Sequence, residues 1–371
     1  MTSTVSPPPV RARAVDHLAV AVGTSKGLFL VSDGVVDGPL LKGDSIAAFV
    51  QSGSRYIASA TNPYFGPCLR VSDDGGLTWS EPDSRQISYP ADTGASLAAV
   101  WQIHLDRRPG HHRTIWLGTE PAALFRSNDA GATFSLVRGL WDHPQRATWT
   151  PGGGGLILHT ILTQPERPGR VVVAISAGGV YRSDDGGETF APKNKGLEAR
   201  FLPDPFPEHG QCPHKLAVDA GDPDTFWLQN HWGIYRSEDS GDSWISVGRA
   251  GEEDGVSSDF GFPIVSHPVD PGTAFVFPLE SDQYRCSPNG RCSVARTIDN
   301  GQTWVGRSRG LPTNGAQTTV LRDAFAVGSS PPYPLVFGTR SGHVFASVDG
   351  GDSWRLVTSY LPPVLCVSVL E

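Results

Sequence analysis

Ser72-Asp73-Asp74-Gly75-Gly76-Leu77-Thr78-Trp79 decides how this chain is read, because its pattern returns five more times. Ser127-x-Asp129-x-Gly131-x-Thr133-Phe134 and Ser183-x-Asp185-x-Gly187-x-Thr189-Phe190 follow it. Three further copies open at Ser237, Thr297 and Ser347 and close at Trp244, Trp304 and Trp354. Each octet has the chemistry of a hairpin turn: Ser/Thr and Asp side chains hydrogen-bond the turn's own amides, Gly permits positive φ, and the closing aromatic packs between sheets. The aspartates Asp74, Asp129, Asp185, Asp239, Asp299 and Asp349 fall 50 to 60 residues apart, about one four-stranded blade with its loops.

Outward from each octet, a preceding strand reads at 57–60, 115–119, 172–175, 226–228, 275–277 and 336–339. A seventh copy, Val20-Ala21-Val22-Gly23-Thr24 followed by Gly27-Leu28-Phe29-Leu30, lacks the octet but matches the turn at 338–342. It has no inner strand before it, while residues 364–370 form an alternating strand with no blade after them. The C-terminal strand is therefore expected to complete blade one, removing the exposed edge of an open array. The prediction is all-β: a single seven-bladed β-propeller over residues 17–371, blade one closed by the C-terminal strand, behind a disordered Ser/Thr/Pro-rich tail at 1–16.

Composition agrees. Forty-three glycines, 31 prolines and one methionine favour short strands and tight turns over helices. A net charge of -8 would repel a phosphate backbone, so no nucleic-acid partner is expected. No segment approaches 18 apolar residues and no signal-peptide core is present, so no membrane partner and a cytoplasmic location are expected. Five cysteines are an odd number and are read as reduced thiols; Cys286 and Cys292, flanking Pro288-Asn289-Gly290, are the pair that a hairpin could bridge.

The octet resembles the Asp-box, or BNR, repeat of sialidase-like propellers, and the resemblance covers nearly the whole chain. In that family the boxes are structural turns at the blade periphery, which implies a turn role here rather than calcium binding or acid catalysis. The chain departs from sialidases in having seven blades rather than six and no Arg-Ile-Pro motif near the N-terminus, and Arg146 and Arg340 alone do not supply the family's three arginines. It departs in length from the tandem seven-bladed xyloglucanases that share its boxes. Residues 152–160 (GGGGLILHT), 210–215 (GQCPHK) and 229–237 (QNHWGIYRS) resemble bacterial BNR proteins labelled glycosyl hydrolases. In outline the chain also resembles the seven-bladed Asp-box factor of photosystem assembly, a non-catalytic scaffold.

With strands running outward from the axis, the boxes join third to fourth strands, so the turns between second and third strands share the opposite face with the blade crossovers. Those turns bring Lys26, Tyr64, Glu120, Asn230, His231, Glu280 and Arg340 to that face. Two long crossovers, 139–155 and 195–213, add Arg146, Trp149, Glu208 and Cys212. Residues 152–155, four glycines, enter a strand with no helix N-terminus behind them, so they read as a close-packed crossover, not a phosphate loop. Aligned on the proline turn that follows them, the inner strands of blades three to six place Trp101, His159, His214 and Phe262 at equivalent positions.

Imidazole and thiolate suit zinc or copper, so His159, His214, His231 and Cys212 are candidate ligands of a divalent metal. The alternative is that these side chains plug the channel through hydrogen bonds. The expected function is an enzyme acting on a small polar or carbohydrate-like molecule at the channel mouth. His159, His214, Glu208 and Glu120 are its candidate catalytic groups, and Lys26, Tyr64, Trp101, Arg146, Trp149, Asn230, Glu280 and Arg340 its substrate contacts. A non-catalytic ligand-binding or assembly scaffold is the competing expectation.

Overall fold

In the computed structural model, which describes residues 18–83 and 85–371, the six octets fold as six copies of one turn. The predicted tail at 1–16 lies outside the described residues. In each turn the opening Ser or Thr hydroxyl donates to the aspartate Oδ1 at 2.6–2.9 Å. The hydroxyl oxygen also accepts the amide of the glycine four residues after that Ser or Thr. The aspartate in turn accepts the amide of the closing Thr or Ser at 2.8–3.0 Å. The glycine is required because the backbone there is left-handed, with φ of +95° at Gly76 and +99° at Gly187.

Five of the turns join the third and fourth strands of a four-stranded antiparallel sheet, the first follows the third strand of a three-stranded one, and the described residues form seven sheets in all. Their inner strands are Ser45–Ser52, Ala99–Leu105, Leu158–Gln164, Pro213–Val218, Gly261–Ser266 and Phe325–Val327 for blades two to seven, and Val364–Val369 for blade one. Successive inner strands touch all round the ring, with Val364–Val369 lying against both Phe325–Val327 and Ser45–Ser52. That last strand pairs antiparallel with Ala19–Thr24, Val22 opposite Val367, as the alternation at 364–370 predicts. Blade two has three strands; where a fourth would pair, the Ser80 amide donates to the Val71 carbonyl at 2.7 Å.

The core lies between blades. Val172 and Ala174 of blade four, for example, pack against Leu216, Phe226 and Leu228 of blade five. Two of the closing tryptophans stitch neighbours together: Trp244 Nε1 donates to the Lys193 carbonyl at 2.8 Å and Trp304 Nε1 to the Val247 carbonyl at 2.7 Å. Burying such a ring contributes roughly 1.5–3 kcal/mol, and its polar end is satisfied across the blade boundary. All five cysteines are free, so Cys286 and Cys292 are unbridged; Cys292 Sγ instead lies 3.4 Å from Ser287 Oγ.

The inner strands share an irregularity that sets up the site. Ladder register shifts between Val100 and Gln102, Leu158 and Thr160, Pro213 and Lys215, and Gly261 and Ile264. The displaced residues include Trp101, His159, His214 and Phe262, the four positions aligned from sequence. A bulge at the mouth end of an inner strand re-aims one side chain out of the ladder.

Candidate functional site

Turns between second and third strands and the blade crossovers do share one face, where a cavity of about 650 Å³ opens at the channel mouth. Trp101, Phe201, Phe260 and Phe262 form apolar walls, residues 151–155 a backbone-lined side, and Arg285, Arg322 and Arg340 a basic side. Below it the channel is plugged: Lys215 Nζ donates to Asp323 Oδ1 at 2.5 Å and to Gln102 Oε1 at 3.3 Å, joining blades five, seven and three.

Cys212, His214 and His231 meet on one wall, their ligand atoms all within 4.8 Å of one another. Two segments bring them together: Cys212 and His214 stand two residues apart at the start of an inner strand, and the His231 amide donates to the Cys212 carbonyl at 3.0 Å. His214 donates from Nδ1 to the Gly261 carbonyl of the next blade at 2.6 Å, which leaves Nε2 as its lone pair. Asp282 Oδ2 lies 3.5 Å from His231 Nε2. Burial holds both imidazoles below their ordinary pKa, His214 far below, with the Arg322 charge adding to the effect there and Asp282 opposing it at His231. Burial raises the Cys212 thiol, while Arg322 and Arg285 favour its thiolate.

His159 does not join this group. Its Nε2 donates to the Pro213 carbonyl at 3.0 Å, so its Nδ1 must accept from the Thr160 hydroxyl at 3.0 Å, and the ring is fully buried outside the cavity wall. The bulge aims it at the neighbouring blade, and no nitrogen is left for a metal or a proton transfer.

The basic side was only partly legible in the sequence. Among the described residues, Arg285, Arg322 and Arg340 form no ion pair. Arg285 Nε donates to the Asp282 carbonyl and Arg322 Nε to the His214 carbonyl at 3.1 Å. Arg322 is half-buried, its guanidinium 6.0 Å from the Trp101 ring and 5.7 Å from that of Phe262. Burial pulls its pKa down, with Asp323 opposing. Arg322 and Arg285 sit in irregular segments outside the repeat, and no spacing rule points to them.

Other expected contacts scatter. Trp101 lines the cavity, and its Nε1 donates to Glu120 Oε2 at 3.0 Å, so Glu120 serves as an acceptor behind the wall. Trp149 is core: its Nε1 donates to the Tyr181 hydroxyl. Arg146 stacks 3.3 Å over the Trp141 ring, and buried Asn230 donates to the Glu198 carbonyl. Lys26, Tyr64, Glu208 and Glu280 are exposed and do not line the cavity; Tyr64 is 90% exposed, and Glu208 accepts from Gln145. The glycine crossover is close-packed only at Gly155, where an added Cβ would meet Glu120 Oε1 at 2.4 Å; at Gly154 the space is open.

A larger depression of about 770 Å³ lies on the box side, around Arg55, Gln86 and Asp129. Several of its polar groups are committed: Asp129 to its own box, Arg55 to Asp73, Gln86 to the Gly131 carbonyl. The mouth cavity, with free guanidinium and imidazole groups, is the candidate site.

Comparison with known proteins agrees with the turn chemistry. The profile described as BNR/Asp-box repeat matches residues 70–81, the first of the six boxes. The chain is a propeller that carries BNR/Asp-box repeats. Over 233 residues, 56% of the chain, this Asp-box propeller is 28% identical to the oligoxyloglucan-reducing end-specific xyloglucanase of Emericella nidulans, of which the match spans 28%. The GH74 xyloglucanase from Xanthomonas campestris superposes with a TM-score of 0.65 at 18% identity, covering 92% of this chain and 52% of that one. YCF48 bound to D1 peptide superposes with a TM-score of 0.55 at 15% identity, covering 93% and 85%. At these identities the two structures share the fold. The Asp-box propeller spans about half the length of the first and under a third of the curated relative.

Proposed function

We propose that this propeller binds, and acts on, a small carbohydrate-like molecule bearing a carboxylate, held in the cavity at the channel mouth. The observation that carries the reading is the convergence of three guanidiniums without ion-pair partners on one aromatic-walled cavity. Arg322 is half-buried, Arg285 and Arg340 exposed; a desolvated charge is costly unless matched, and guanidinium matches a planar carboxylate with paired hydrogen bonds. Trp101 and Phe262 offer flat apolar faces for a sugar ring beside that carboxylate. The match to a xyloglucan-acting relative supports the carbohydrate part.

The chemistry is not that of a two-carboxylate glycosidase working in this cavity. Such enzymes place two Asp or Glu side chains about 5–9.5 Å apart across the scissile bond. Here, among the described residues, the one carboxylate on the wall is Asp323, already paired with Lys215. His214, His231 and Cys212 are wall groups that could serve proton transfer or nucleophilic attack. That shortage of acids also favours a second reading, a ligand-binding scaffold without turnover.

Calorimetric titration with glucuronate and with glucose tests the proposal, because the pair differ by a carboxylate. Glucuronate is expected to bind at least about 10-fold more tightly. Equal or absent binding of both would overturn the carboxylate reading. Consumption of uronate-containing oligosaccharides by wild type but not by Cys212→Ala/His231→Ala marks an enzyme; binding without consumption marks the scaffold.

A further inference from the structure

We infer that Cys212, His214 and His231 bind one divalent ion of the zinc or copper class, with a coordination position left open to the cavity. The inference stands on the side-chain cluster and is independent of what organic molecule enters.

The donor set is one thiolate sulfur and two imidazole nitrogens, which zinc and copper(II) prefer over magnesium or calcium. Three protein ligands with solvent at the fourth position is the pattern of a reactive zinc rather than a structural one. Tetrahedral zinc sets its ligand atoms roughly 3.3–3.6 Å apart. The observed separations, all within 4.8 Å, close to that by about 1 Å of side-chain rotation at Cys212 and His231, both outside regular strands. His214 is already fixed: its Nδ1–H to the Gly261 carbonyl selects the tautomer that leaves Nε2 with a lone pair for a metal, the carbonyl–histidine support common at metal ligands. Phe260 stands against both imidazoles, with ring centroids 5.5 Å from His214 and 5.3 Å from His231, and keeps bulk water from that side.

Charge balance is consistent. On binding, Cys212 releases its thiol proton to solvent, and the thiolate cancels one of the ion's two charges. The single positive charge left, beside Arg285 and Arg322, favours an anion at the open position.

The test uses full-length protein purified without a metal-binding tag. Inductively coupled plasma mass spectrometry is expected to find close to one zinc or copper per chain. After chelation, titration with cobalt(II) alone should give a thiolate-to-cobalt charge-transfer band that saturates at one equivalent. Cys212→Ser should abolish the band, His231→Ala should weaken binding more than about 100-fold, and His159→Ala, whose side chain is outside the cluster, should leave both intact. Thermal midpoints of each variant show that the fold survives. Absence of saturable cobalt binding in folded wild type, or binding unchanged in Cys212→Ser and His231→Ala, would overturn the assignment. Because no organic ligand is present, the outcome is separate from that of the uronate titration.

Discussion

His159 Nε2 donates to the carbonyl of Pro213, tying the inner strand of blade four to that of blade five one residue before His214. His214 repeats the device toward Gly261 of blade six, but it lines the cavity and its other nitrogen is uncommitted. Two histidines at equivalent positions thus have different work, and His159→Ala should show it. Loss of the bond, an unsatisfied carbonyl and a buried void should lower stability by about 2–4 kcal/mol in denaturant unfolding. Ligand titrations should match wild type; lost cobalt or uronate binding in a folded His159→Ala protein would contradict its exclusion from the site.

Arg322→Met should weaken uronate binding roughly 10- to 100-fold, the worth of a charge-assisted bond on a partly buried carboxylate. Arg322→Lys should fall between, since a point charge replaces a planar fork. Calorimetry measures both; an Arg322→Met protein that binds uronate like wild type would remove Arg322 from recognition.

The boxes predict an acid limit to stability. The Thr78 and Thr189 hydroxyls, with nearby amides and the opening serines, hold Asp74 and Asp185 at about 2 against an ordinary 3.8. Because these pKa values are depressed in the folded chain, the unfolded chain binds more protons in between. The stabilisation is whole above about pH 4 and is lost as pH falls toward 2. Asp74→Asn/Asp185→Asn should be less stable than wild type at pH 7 and lose less stability across that window, as urea midpoints at pH 2, 3, 4 and 7 will show. A parallel decline of both proteins would mean that these carboxylates are not the titrating groups.

Gly155→Ala and Gly154→Ala form a controlled pair. Gly155 has φ of +99° and no room beside Glu120, so alanine there should cost about 1–3 kcal/mol and loosen the Glu120 bond to Trp101. Gly154 is not left-handed and faces open space, so alanine there should be neutral within about 0.5 kcal/mol. Equal thermal shifts in the two variants would refute the distinction.

What the sequence disclosed and what it hid divide along the repeat. The boxes, the seven blades, the closing strand and the equivalence of Trp101, His159, His214 and Phe262 are periodic, and periodicity survives without coordinates. Cys212, His214 and His231 could be grouped because they stand beside repeat landmarks. His159 was misplaced because a bulge rotates a side chain by an amount that alignment does not record. Lys26, Tyr64, Glu208 and Glu280 read as mouth-face residues from their place in the repeat, yet none of them lines the cavity. Arg285, Arg322 and the Lys215–Asp323 plug depend on how irregular crossovers fold inward, which no local pattern sets.

The pairing of Val364–Val369 with Ala19–Thr24 also imposes an order on biosynthesis. At 5–20 residues per second, about 20–70 s separate the emergence of the two strands from the ribosome. Throughout that interval the first blade lacks its inner strand, and Ala19–Thr24 offers bare amides and carbonyls to any passing β-segment. The blades between can form as hairpins while the chain lengthens, but the mouth cavity cannot be complete until synthesis has passed Leu365, which lies in its wall. The cavity is therefore completed only after translation of the ring, in one final step, and a chaperone that shelters an open sheet edge would act in that interval.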